Sequence, residues 1–129
     1  MPRRITTDEG RAALASVRAA GEASVDPPRA DRATAVRYLL QLLADLAPGN
    51  SVEVRVPPFG AVQCIEGPGH TRGTPPNVVE TDALTWLEIA TGAVPWADAL
   101  LAGRVSASGA RADLSAHLPL RWRGEPGGE

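Results

Sequence analysis

Residues 64–77 read CIEGPGHTRGTPPN and bring together the chain's only cysteine, one of its two histidines, an arginine and a carboxylate. A Cys/His pair does nucleophilic chemistry when the thiol is exposed, its acidity is raised and a base lies within reach. Cys64 instead closes an apolar run, where thiols are usually buried and inert. The pair also falls short of zinc, which takes three or four protein ligands. The residues therefore predict no catalytic centre, no metal site and no cofactor. The stretch His70, Thr71, Arg72 and Gly73 suits a different task. An imidazole, a hydroxyl, a guanidinium and glycine-exposed amides all donate hydrogen bonds, so together they would hold the carboxylate or phosphate head of a ligand. The competing reading is a structural loop whose arginine pairs with Glu66 or Glu80 and whose prolines fix its path. His117 reads as a surface or satisfied histidine, and Glu88, Asp98 and Asp113 read as solvated charges on helix faces.

These residues need elements to position them. Thr6 and Glu9 have the spacing of a capping box ahead of a short, weakly apolar helix with Leu14, Val17 and Ala20 on one face. Pro27 and Pro28 then force an extended connector. Over 31–47, Val36, Leu39, Leu40, Leu43 and Leu46 share a broad apolar face, and Thr34, Arg37, Gln41 and Asp45 form a narrow polar stripe. The alternation SVEVRV predicts a strand with Val52, Val54 and Val56 on one side. Further strands are expected over 61–65 and 77–81. TDALTWLEIATG opens at a cap from Thr81 or Asp82 and stops at Gly92, and Pro95 opens a second short helix that Gly103 closes. RVSASG alternates as a strand, and ARADLSAHL reads as a final helical turn or two. The layout is α+β and lacks the regular alternation of a parallel α/β sheet.

Length and charge narrow the function. At 129 residues the chain fits one domain, and 13 basic against 15 acidic side chains give a net charge of −2. Every basic residue is arginine, scattered along the chain, so no basic run favours nucleic acid. No segment is long and apolar enough to span a membrane or to form a secretory signal. A single cysteine fits a reducing compartment, so a cytoplasmic location is expected.

The stretch TDALTWLEIATGAVPWADALLAGRVSASGARADLSAHLPL resembles the C-terminal half of the sterol carrier protein type 2 family. The resemblance is carried by Thr81, Asp82, Leu87, Thr91, Gly92, Ala99, Gly103, Gly109, Leu114 and Leu118. The middle, PPFGAVQCIEGPGHTRGTPPNVVET, resembles an actinobacterial subgroup labelled sterol carrier family protein. The resemblance covers a sterol-carrier-like domain over 29–120, which leaves the N-terminal helix and connector over 1–28 and a tail over 121–129 that its own residues mark as disordered. It implies a curved, mostly antiparallel sheet of about five strands with helices packed on one face. It also implies a tunnel between the layers that holds a lipid or other apolar or amphiphilic small molecule without catalysis. Leu39, Leu43, Leu46, Trp86, Leu87, Trp96 and Leu100 are the expected lining, although both tryptophans also suit an ordinary core. The alternatives are an accessory domain that meets a protein partner or a second copy of itself, and a helper domain for thiol-dependent isomerase or transferase chemistry.

Overall fold

The computed structural model describes residues 3–68 and 76–122. Two helices come first, α1 (Thr7–Glu22) and α2 (Arg29–Leu46). The strands β1 (Val52–Val56), β2 (Gly60–Cys64) and β3 (Val78–Thr81) follow, then α3 (Ala83–Thr91), α4 (Trp96–Leu101) and β4 (Val105–Ser108). The sheet runs in the order β2-β1-β3-β4. The β1–β2 and β3–β4 pairs are antiparallel, and β1–β3 is parallel.

The expected α+β class and mostly antiparallel sheet are what the structure has, with four strands among the described residues where about five were expected. The mixed character follows from connectivity. A tight Pro57-Pro58-Phe59 turn can only return β2 antiparallel to β1, whereas the longer excursion after Cys64 brings β3 back parallel on the other side of β1. The segment 110–118 forms turns where a final helical turn or two was expected. Asp113 accepts from the Ser115 amide at 2.9 Å, a local bond that competes with a helical ladder.

Register decides which residues form the core. Val52 pairs with Cys64, Val54 with Val62 and Val79, and Thr81 with Val105, so these share one face of the sheet. Val52, Val54, Val56, Cys64 and Val79 are fully buried there. The opposite face carries Glu53, Arg55, Gln63, Glu80, Ser106 and Ser108 and meets solvent or is only half-buried. Each buried valine contributes about 1.5–3 kcal/mol relative to an exposed one. Against this face α2 sets Val36, Leu39, Leu40 and Leu43, and α3 sets Trp86, Ile89 and Ala90. The indole N–H of Trp86 donates to the Val36 carbonyl at 3.2 Å, so the largest buried side chain leaves no polar atom unsatisfied.

The first helix rests on α2 rather than on the sheet. It begins with the capping box that the sequence announces: Glu9 N–H donates to the Thr6 hydroxyl at 3.1 Å and Thr6 N–H to the Glu9 carboxylate at 2.9 Å. Gly10 lies directly over the ring of Tyr38, where an added Cβ would overlap the ring carbons. The segment ahead of α1 is fastened by Gln41, whose amide accepts from Ile5 N–H at 3.0 Å and donates to Ile5 carbonyl at 2.9 Å. The third helix is capped by Asp82, which accepts from Thr85 N–H at 2.8 Å, and it ends at Gly92 with φ 91°, a left-handed conformation natural to glycine.

Candidate functional site

The α1 residues Leu14, Val17 and Gly21 recur at helical spacing and form one wall of a groove. The facing wall comes from α3, whose Leu84, Leu87, Glu88 and Thr91 recur the same way. Gly92, Ala93 and Trp122 border one end, and the open space between the walls is about 540 Å³. A space of that size accommodates a small amphiphile.

The polar groups at the rim are already engaged. Arg18 pairs with Glu22 at 3.5 Å on the surface of α1. Glu88 pairs closely with Arg104, whose Nε donates to the Thr85 hydroxyl at 3.2 Å, and that hydroxyl donates to Asp82 at 3.0 Å. The Thr91 hydroxyl donates to the Leu87 carbonyl at 2.6 Å. With its charges spent on one another, the groove offers a ligand mainly carbon surface.

Of the residues expected to line a tunnel, Leu87 borders this groove and is 7% exposed. Leu39, Leu43 and Trp86 show no exposed surface, so no space large enough for water touches them. Trp96, the first residue of α4, is buried. Leu46 and Leu100 are 59% and 41% exposed, respectively. The reason at Leu46 is geometric: α2 ends there, and Ala47, one residue further, takes the buried position. The interior where Leu39, Leu43 and Trp86 meet is thus filled, and of the expected lining Leu87 alone borders the groove between α1 and α3.

His70, Thr71, Arg72 and Gly73 lie outside the described residues, as does most of the tail expected over 121–129. The entrance to that run is well defined. Cys64 is fully buried, and desolvation pushes its thiol up to about 11, opposite to what a nucleophile needs. Ile65 follows with φ 67°, a conformation that costs a β-branched residue on the order of 1–3 kcal/mol. It is held there by its N–H donating to Ala47 carbonyl at 2.6 Å, and by Ser51, whose N–H and hydroxyl donate to the Ile65 carbonyl at 3.1 and 2.6 Å. His117 borders a separate hollow of about 400 Å³ with Gly49, Ile65 and Glu66. Among the described residues no group of three or more His, Cys, Asp or Glu side chains is placed to hold a metal ion. No described helix is long and apolar enough to cross a membrane.

Sequence reasoning assigned Leu14 and Val17 to a helix face without giving them a partner, and placed Trp122 in the tail. The usable signal was the matching stripe at 84, 87 and 91, which leaves Leu84 on a face of α3 away from the sheet.

Residues 28–120 match the family described as bacterial SCP orthologs. No curated protein matches the chain. The matched region contains α2, the sheet, α3 and α4, whereas α1 and Trp122, which complete the groove, fall on either side of it.

Proposed function

Because the chain belongs to the bacterial SCP ortholog family, a sterol-carrier-protein-like family, we propose that it binds a lipid or other apolar or amphiphilic small molecule and does no covalent chemistry. The observation that carries this reading is the groove between α1 and α3, with Leu14, Val17, Leu84, Leu87 and Trp122 around a space of about 540 Å³. Every 100 Å² of apolar ligand surface buried there contributes about 2.5 kcal/mol, set against several kcal/mol lost on association. A tail of moderate length is enough for binding that is reversible, as carriage requires. The non-catalytic reading is supported by the sealed thiol of Cys64. One buried, unpaired cysteine also suits a reducing cytoplasm.

A second reading is favoured by one specific observation. Leu84 and Leu101 are 63% and 89% exposed, and such surface also suits an accessory domain that meets a protein partner or a second copy of the chain.

Native mass spectrometry of the purified protein, followed by organic extraction, separates the two. A co-purifying lipid, together with quenching or shift of Trp122 fluorescence when decanol is added, is the expected result. A ligand-free monomer whose Trp122 emission ignores decanol would sink the carrier reading, and a ligand-free dimer would favour the interaction domain.

A further inference from the structure

A second groove, of about 710 Å³, runs between the N-terminal segment, α2 and the β1–β2 hairpin. It shares no lining residue with the groove between α1 and α3. Its floor is apolar, made by Ile5, Leu40, Phe59 and Val62, but its walls carry Arg3, Arg4 and Arg37. Two of those charges are matched: Arg3 pairs with Glu9 and Arg4 with Asp45, each at 2.6 Å.

Arg37 is different. Its Nε donates to the Phe59 carbonyl at 2.7 Å, which fixes the guanidinium against the hairpin. Its two terminal nitrogens have no carboxylate partner among the described residues. Arg29 adds positive charge at the same end, its guanidinium 5.3 Å from the centre of the Phe59 ring. Thr34, one helical turn before Arg37, contributes a hydroxyl to the same wall. An uncompensated guanidinium fork beside an apolar floor is complementary to a carboxylate carried on an apolar body.

We propose that this groove is a binding site for an apolar-bodied monocarboxylate, separate from the site under the proposed function and independent of it. The carboxylate takes the free edge of Arg37, and the body lies on Phe59, Leu40 and Val62. Gln41, both of whose amide groups are committed to Ile5, keeps the N-terminal wall in place.

Titration of the ¹⁵N-labelled full chain with octanoate, octanol and inorganic phosphate tests this. Octanoate is expected to shift the amides of Gly60, Ala61 and Val62 saturably, and octanol and phosphate at the same concentration are expected to leave them in place. Arg37→Gln should weaken octanoate about tenfold or more, the loss expected for one charge-assisted bond. Arg37→Lys, which keeps the charge but not the fork, should weaken it less, and Trp122→Ala should not alter it. Equal shifts from octanoate and octanol, or unchanged octanoate affinity in both Arg37 variants, would overturn the proposal. Phosphate shifts as large as those from octanoate would remove the apolar body from it.

Discussion

The groove between α1 and α3 and the groove beneath Arg37 are both roofed in part by the N-terminal region, and both have carbon floors, yet they differ in what happens to charge. Around the first, each charged side chain at the rim has an opposite neighbour: Arg18 has Glu22, and Glu88 has Arg104. Around the second, Glu9 and Asp45 satisfy two arginines, and Arg37 is left without a carboxylate among the described residues. The lesson concerns selectivity. Burial of carbon sets how tightly a body is held, but the residual charge sets which head the body carries. A neutral amphiphile entering the first groove strands no charge, whereas entering the second leaves Arg37 partly desolvated without a partner.

The largest effect that would separate the two grooves is at Leu14, which is 5% exposed and anchors α1. Leu14→Ala should cost about 2–5 kcal/mol in urea unfolding. Decanol binding read through Trp122 should fall with it, and octanoate shifts at Gly60, Ala61 and Val62 should survive. Loss of both together would show that the grooves are one cooperative unit. A smaller effect is expected at Gln41, because Gln41→Ala removes two bonds to the Ile5 backbone. It should cost about 1–3 kcal/mol and weaken octanoate while leaving decanol unchanged. If decanol weakens equally, the N-terminal segment serves both sites.

The smallest effect concerns pH. Glu9 is held at about 2, chiefly by its hydrogen bond with Arg3 and then by the Thr6 amide. A carboxylate with a depressed folded value stabilises the fold above its ordinary titration range, and that stability is lost as pH falls through the folded value. The window here runs from about 4.5 down to about 2. Because Glu9 is solvent-exposed, screening keeps the gain slight. Carboxyl-detected NMR should place the Glu9 midpoint near 2, and a midpoint near 4.5 would mean that Arg3 is not its partner and is a further free cation on the second groove.

Much of the scaffold was legible because its signals are local. The Thr6 and Glu9 spacing, the alternation of Val52, Val54 and Val56, and the Asp82 and Gly92 boundaries each depend on neighbours a few residues away, and each appears in the structure. The membership of the chain in a sterol-carrier-like family was legible in the same way, through motif positions in α3 and α4, at the glycines on either side of β4, and at Leu114 and Leu118 after it. The grooves were not, because each joins segments distant in sequence. Arg37 looked like part of a solvated stripe until the hairpin brought the Phe59 carbonyl beside it. Leu46 and Leu100 kept the apolar rhythm of their helices but lie at or near the ends of α2 and α4, where exposure rises whatever the rhythm says. Leu84 is 63% exposed because it borders the open groove shared with α1, a neighbour distant in sequence.

Cys64, sealed in the sheet with its thiol pushed up to about 11, has a practical use that does not depend on either ligand. Near neutral pH it should ignore maleimides and iodoacetamide while the chain is folded. A second cysteine introduced on an exposed rim position, such as Leu84→Cys, would then be the single labelling point without any need to remove the native one. A dye attached there would report on the first groove, and the silent thiol would react only on unfolding, so one sample would record occupancy and integrity by two separate chemistries.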